Sequence, residues 1–155
     1  MTNEFWAFSL ATYAADGVAE SALAVQDEMG LDVNVLLYAS WLASRNQKLS
    51  RAHLTALEAR IDLWRRRVVF PLRALRRALR DYPEAGVIRE RIKTLELQSE
   101  RQQQDMMWQF FTSAEPLSAG VDLLRDNLGL LVETVEVKAD VWEVLLERIA
   151  RVING

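Results

Sequence analysis

The sequence predicts an all-α single domain, a helical bundle with two long antiparallel helices and several shorter helices. Apolar residues recur every three or four positions through most of the chain, which is the spacing of one helical face. The chain has six glycines and three prolines among 155 residues, too few for a β-rich or disordered protein. Because a chain of this length can bury about two-thirds of its unfolded surface, one domain is expected.

The N-terminal part, residues 3–45, is expected to form three short helices of about a dozen residues each. Gly17 and Gly30 stand where the first two should end, because glycine adopts the left-handed cap conformation without steric cost. Asp32 is placed to accept a hydrogen bond at the start of the third. The apolar residues at helical spacing are Phe5, Trp6, Leu10, Tyr13, Val18, Ala22, Leu23, Val25, Val33, Leu36, Leu37, Trp41 and Leu42.

A long helical hairpin is expected over residues 51–112. Its first helix, over 51–81, would follow an N-cap at Ser50 and measure about 45 Å at 1.5 Å per residue. Pro71 lies inside this helix and lacks a backbone N–H, so we expect a kink or a break near Phe70.

A turn at residues 82–86 should lead into the second long helix, over 87–111. Its polar interval, Gln98 to Asp105, is expected to be a solvated helical stretch. An antiparallel hairpin would bring acidic residues of this helix within reach of arginines on the first; they are Glu90, Glu96 and Glu100. The residues assigned to the buried side are Val87, Ile88, Ile92, Leu95, Met106 and Phe110.

The C-terminal part, residues 118–153, follows a break at Pro116. Two helices are expected there, over 118–134 and 137–153, because leucine and valine recur at helical spacing.

Charge is unevenly distributed along the chain. The whole chain has a net charge of −3, but residues 51–80 hold nine arginines and two acids, a balance of +7. Residues 1–50 have a net charge of −4, and residues 81–155 have a net charge of −6. Arginine pairs bidentately with carboxylates and phosphates, so this segment indicates either anion binding or internal ion pairs.

The arginines of the first long helix are the leading candidates for partner or anion binding. Helical spacing places Arg66, Arg73, Arg77 and Arg80 on one stripe, with Arg65 and Arg76 beside it. One interpretation is a phosphate-binding face for RNA or another anionic ligand. Pairing with the acidic segments on either side is the preferred interpretation, and membrane-surface binding is a third.

A polar turn around Gly30 is the second candidate site. Buried polar groups need hydrogen-bond partners, so this turn is either a small pocket or a set of structural bonds. In the preferred structural interpretation, Asp32 caps a helix, and Asp27 or Asp32 lies near an arginine from 65 to 73. The residues assigned to the turn and its possible pocket are Gln26, Asp27, Asp32, Asn34, Tyr38 and Trp41.

An apolar cluster ends the second long helix: Met106, Met107, Trp108, Phe110 and Phe111. Methionine-rich surfaces adapt to partners, so the cluster could be a docking patch. Core packing is the preferred interpretation.

Three segments in the first half of the chain have a specific pattern of residues. They are F-W-x-F-S-L-x-x-Y from Phe5, Q-D-x-x-G-x-D-V-N from Gln26 and W-R-R-R-V-V-F-P-L-R from Trp64. In these motifs, over about residues 5 to 80, the chain resembles a family of conserved proteobacterial proteins of unknown function. The resemblance implies an α-helical bacterial protein and no particular activity.

Motifs that carry chemistry are absent from the sequence. There is no cysteine, which excludes disulfides and thiol catalysis, and the one histidine, His53, stands in no metal-binding or catalytic motif. We therefore expect no catalytic residues, no metal and no cofactor. No signal sequence or membrane span is expected, so the default location is the cytoplasm.

The leading functional prediction is a non-catalytic protein-interaction or adaptor module, working with an unknown protein partner or as a homodimer. The alternative is an RNA- or ribosome-associated accessory protein that binds through the arginine-rich helix. An enzyme with a carboxylate site at Asp27 and Asp32 is the least favoured of the three.

Overall fold

The chain is an all-α single domain, as predicted; the computed structural model describes residues 2–155. Within the described residues no strand forms, and an isolated bridge joins Gln47 to Ala119. The chain folds as two compact units, one of residues 2–54 with 115–155 and one of residues 55–114. The helices are α1 (Glu4–Tyr13), α2 (Val18–Met29), α3 (Val33–Ser44), α4 (Arg51–Trp64), α5 (Phe70–Ala78), α6 (Gly86–Ser113), α7 (Leu124–Leu131) and α8 (Ala139–Asn154).

The first unit is built around α3. Every residue from Asn34 to Ala43 is buried, and α3 packs against α1 and α7 while α2 packs against α8. The three expected short helices are therefore confirmed. The Asp32 carboxylate accepts a hydrogen bond from the Asn34 amide at 2.8 Å, so the predicted N-cap is confirmed too.

The two glycines of the N-terminal part have different roles. Gly30 caps the C-terminus of α2 with a φ of 71°, as expected. The sequence predicts Gly17 at the end of α1, but α1 ends at Tyr13 and Gly17 lies directly before α2 with a φ of 75°. The Arg148 guanidinium of α8 donates to the Gly17 carbonyl at 2.8 Å, so Gly17 is a contact point between the start of α2 and α8.

Asn127 of α7 is a buried polar residue that no sequence pattern singles out. Its amide nitrogen donates to the carbonyls of Ala39 and Gln47 at 3.2 and 3.0 Å, and its side-chain oxygen accepts from the Leu49 amide at 2.9 Å. One fully buried side chain thus joins α7 to α3 and to the segment that follows α3.

The second unit contains most of the predicted hairpin. Residues 51–81 form a continuous helical segment, as expected, and Ser50 caps it by accepting a hydrogen bond from the His53 amide at 3.0 Å. A π-helical turn, Arg65–Val69, interrupts the α-helix just before Pro71, where the Phe70 amide bonds to the Arg65 carbonyl. The sequence predicts a kink or a break near Phe70, and the wider turn is where the helix accommodates the proline.

The C-terminal part differs from its prediction. The helix expected over 118–134 is limited to Leu124–Leu131, because the backbone of residues 118–120 bonds to the loop after α3. The Lys48 amide donates to the Ser118 carbonyl at 2.8 Å, and the Gly120 amide donates to the Asn46 carbonyl at 3.0 Å. The last helix, expected over 137–153, runs from Ala139 to Asn154.

Candidate interaction surface

Two arginines of α5 hold one glutamate of α6. Arg73 donates to Glu96 at 3.1 Å and to Glu100 at 3.2 Å, while Arg76 binds both carboxylate oxygens of Glu96. The side chains are largely removed from solvent, with Glu96 8% exposed and each arginine 18%. The expected reach of Glu96 and Glu100 to the arginines is confirmed, and these pairs fix the antiparallel packing of α5 on α6.

The charge state of Glu96 is set by its two partners. Burial by itself would raise the pKa of the Glu96 carboxyl, but the hydrogen bonds from Arg76 and Arg73 outweigh it, and the pKa lies below the usual value. Glu96 is therefore ionised at neutral pH, and its pairs are part of the fold.

The six predicted arginines fall into two sets. Arg73 and Arg76 are in the Glu96 pairs, and Arg65, whose side chain is 11% exposed, binds Glu58 on α4. The other three are exposed: Arg66, which pairs with Asp62 at 2.9 Å, and Arg77 and Arg80. Three of the six arginines are thus paired and largely removed from solvent, and three remain exposed.

Apolar side chains lie exposed along the other border of the α5–α6 contact. Leu75, Ile88 and Leu95 are 44%, 55% and 47% exposed. Leu72 lies three residues before Leu75 and Leu79 lies four residues after it, so the three leucines form one row. Ile92 lies between Ile88 and Leu95 and completes a second row on α6. Because the arginine–glutamate pairs occupy one border of the helix contact, these rows line the opposite one. We call Leu72, Leu75, Leu79, Ile88, Ile92 and Leu95 the leucine–isoleucine seam.

The seam corrects the predicted orientation of α6. The sequence assigns Val87, Ile88 and Leu95 to the buried side, yet Val87 is 72% exposed and the other two are about half exposed. The interval from Gln98 to Asp105 is predicted to be solvated, yet Ser99, Gln103 and Gln104 are buried. The arginine–glutamate pairs hold the Glu96 side of α6 towards α5, and the Ser99 carbonyl accepts a hydrogen bond from the Trp64 indole of α4 at 2.9 Å.

The predicted polar turn does not gather its six residues into one site. Asp32 is used as the α3 cap, Asn34 is buried, Asp27 is exposed, and the backbone carbonyl of Gln26 accepts from the Gly30 amide at 3.0 Å. The expected contact of Asp27 or Asp32 with an arginine from 65 to 73 stays a prediction.

Tyr38 and Trp41 belong to the core of the first unit. They are 0% and 3% exposed, and their rings contact Phe5 at centroid distances of 5.3 and 5.5 Å. This is a correction to the predicted site, because the buried face of α3 carries both side chains into the core and not to a pocket beside Gly30.

A tyrosine–histidine pair lies in the same core, and no sequence pattern indicates it. The Tyr38 hydroxyl is 2.7 Å from Nε2 of His53, and the two rings stack at 5.8 Å. Burial raises the pKa of Tyr38 and lowers the pKa of His53, so both groups are neutral at neutral pH. A lone histidine near a helix start carries no spacing signal, so only the fold could reveal this contact.

The apolar cluster at the end of α6 is partly buried. Met107 is fully buried, and Trp108 stacks on Phe111 at a centroid distance of 6.0 Å. Core packing is confirmed for Met107, while a docking patch made by the rest stays a prediction.

These features define an all-α protein in which buried arginine–glutamate pairs hold a helical hairpin and leave an apolar seam exposed. The chain belongs to the protein family of unknown function DUF2390, whose model matches residues 4–107. The predicted membership in a family of unknown function is thereby confirmed. Neither a curated protein nor a solved structure matches the chain. None of the helices in residues 2–155 combines the length and the apolar character that crossing a bilayer requires.

Proposed function

We propose that this protein is a non-catalytic interaction module that binds a protein partner through the leucine–isoleucine seam. The observation that carries the proposal is the exposure of Leu75, Ile88 and Leu95 in two rows on neighbouring helices. Contiguous exposed apolar surface, in contrast to scattered single residues, is a feature of protein-binding sites. A cytoplasmic location belongs to the same proposal, and the cysteine-free composition is compatible with it.

The energetics favour a partner that covers the seam. Full burial of a leucine or isoleucine side chain contributes about 1.5–3 kcal/mol. Three side chains that are about half exposed therefore leave several kcal/mol available for binding, which is the scale of an interface hot spot.

RNA binding is the second candidate. It is supported by the exposure of Arg66, Arg77 and Arg80 and by the net charge of +4 on residues 55–114. Arginine is suited to bidentate phosphate contacts. An enzyme with a carboxylate site at Asp27 and Asp32 has less support, because the Asp32 carboxylate is used in capping α3.

Affinity capture from a lysate of the source organism, with and without nuclease, separates these functions. The variants are Leu75→Glu/Ile88→Glu on the seam and Arg77→Glu/Arg80→Glu on the exposed arginines. The matched control is Leu97→Glu, which places the same charge on α6 at a site that is 66% exposed and off the seam.

A protein-binding seam predicts that one protein is captured with or without nuclease, that the seam variant loses it and that Leu97→Glu retains it. Capture that nuclease abolishes, together with loss in the arginine variant, would establish the RNA alternative instead. Circular dichroism of each variant checks that the helices remain folded.

A further inference from the structure

We infer that the partner segment is an acidic amphipathic helix that lies along the leucine–isoleucine seam. This inference rests on the proposed function and names the chemistry of its ligand. It follows from two independent features of residues 55–114, the shape of the apolar rows and the sign of the net charge.

The apolar rows fit a helix. On α6, Ile88, Ile92 and Leu95 are spaced by four and three residues. Leu72 and Leu75 on α5 and Leu79 directly after it are spaced by three and four. Rows on two neighbouring antiparallel helices make an apolar strip about two helical turns long. An amphipathic helix covers such a strip with apolar residues at i, i+3 or i+4 and i+7.

The unit that carries the seam has a positive net charge. Residues 55–114 contain twelve arginines and lysines against eight acids. Several of those acids are already held by bases of the same unit, namely Glu58, Asp62, Glu90, Glu96, Glu100 and Asp105. The basic groups of this unit are therefore in excess.

An exposed arginine borders the seam itself. Arg91 is three residues after Ile88 and four before Leu95, so it lies beside both on α6. A helix with carboxylates beside its apolar face would bring one of them to Arg91.

The same charge argues against a second copy of this hairpin as the occupant. Two hairpins of net charge +4 would bring like-charged surfaces together, each with its Arg91, and like charges across an interface oppose association. An acidic helix removes that repulsion and gives the docking site its specificity.

The test uses the full chain and three fluorescently labelled, helix-stapled peptides of about 18 residues, which is five turns. The first has leucines at i, i+3 and i+7 spacing flanked by glutamates. The second has lysine in place of every glutamate. The third has the composition of the first with the leucines no longer on one face. Binding is followed by fluorescence anisotropy at low and high salt.

We expect the acidic peptide to bind about tenfold tighter than the basic one. Each exposed ion pair increases the affinity by a small factor, and the basic peptide replaces several such attractions by repulsions. The difference should shrink at high salt. Leu75→Glu/Leu95→Glu should abolish binding, Leu97→Glu should leave it unchanged, and Arg91→Glu should reduce the preference for the acidic peptide. The third peptide should bind weakly or not at all.

Other outcomes overturn the inference. Equal binding of the acidic and basic peptides, lost in Leu75→Glu/Leu95→Glu, would refute the acidic chemistry and leave the docking surface intact. Absence of binding by the acidic peptide would refute the helix as ligand, and self-association lost in the same variant would identify a second copy as the occupant. If the seam variants also leave the affinity capture unchanged, the proposed function itself fails.

Discussion

The Tyr38 hydroxyl lies 2.7 Å from Nε2 of His53, so the first unit has a hydrogen-bonded pair of titratable groups in its core. Tyr38 is fully buried on the central helix α3, and His53 is 7% exposed at the start of α4. Each side chain gives the other a hydrogen-bond partner away from water. The pair therefore joins the N-terminal helices to the first turn of α4.

Removal of the Tyr38 hydroxyl should destabilise the protein. Tyr38→Phe keeps the ring contact with Phe5 but takes the hydroxyl away from a buried histidine nitrogen, which costs about 1–3 kcal/mol. Urea denaturation measures the difference. The matched control is Tyr82→Phe, which removes a hydroxyl from a side chain that is 55% exposed and should change stability by less than about 0.5 kcal/mol. Equal effects at the two positions would contradict a structural role for the pair.

His53 should make the stability of the protein depend on pH near neutrality. Burial lowers the pKa of His53 below its ordinary value of 6.5, so the unfolded chain binds a proton more readily than the folded one. The contribution of neutral His53 to the stability of the folded protein is complete above the unfolded pKa of 6.5. It is lost as the pH falls through the pKa of His53 in the folded protein.

Urea denaturation at a series of pH values between about 5 and 8 tests this dependence. Because His53 is the only histidine, His53→Gln should flatten the decline that the wild type shows on acidification. The measured quantity is the slope of the unfolding free energy against pH. A loss of stability that is the same at every pH in the variant does not change this slope. Identical slopes would show that the folded and unfolded pKa values of His53 are the same.

Glu96 should be the most important acid of the hairpin. Glu96→Ala takes a shared partner from two arginines, each 18% exposed, and breaking a buried pair costs about 3–5 kcal/mol. Glu90→Ala on the exposed face of α6 is the control, with an expected change below about 0.5 kcal/mol. A Glu96 variant as stable as the Glu90 variant would mean that the pairs contribute nothing to the packing of α5 on α6.

A side chain at position 17 should destabilise the protein. The φ of Gly17 is 75°, which L residues rarely adopt, and a Cβ atom there would lie 2.6 Å from the Arg148 guanidinium carbon. Gly17→Ala should therefore cost about 1–3 kcal/mol in urea unfolding. Gly129→Ala is the contrast, because no neighbouring atom lies within 4 Å of the position that its methyl group would take inside α7. Alanine there should stabilise the helix by about 0.5–1 kcal/mol. Equal destabilisation by both substitutions would contradict the steric explanation.

Local signals in the sequence predict the helices well. Asp32 and Ser50 each have a side chain suited to an N-cap and each caps a helix, and the hairpin turn falls between Tyr82 and Gly86. These features depend on neighbouring residues, so periodicity and capping chemistry are sufficient. The helix expected from residue 118 is too long because its first residues bond to the distant backbone of 46–48, which no local pattern reveals.

The orientation of α6 could not be predicted for a related reason. Ile88 and Leu95 have the spacing of a buried face, and Gln103 and Gln104 have the composition of an exposed one. Arg73 and Arg76 on α5 pair with Glu96, so that side of α6 faces α5. The spacing of apolar residues within α6 does not reveal this contact with another helix. The seam is the result, so the candidate site is visible in the sequence only as apolar residues assigned to the core.

Photo-crosslinking in living cells tests the central claim most directly. A photoreactive amino acid is placed at position 88 or 95 on the seam, and at position 97 as the control on the same helix. A docking seam predicts a discrete protein adduct from positions 88 and 95, resistant to nuclease, and no such adduct from position 97. Nucleic-acid adducts, or equal labelling from all three positions, would contradict it.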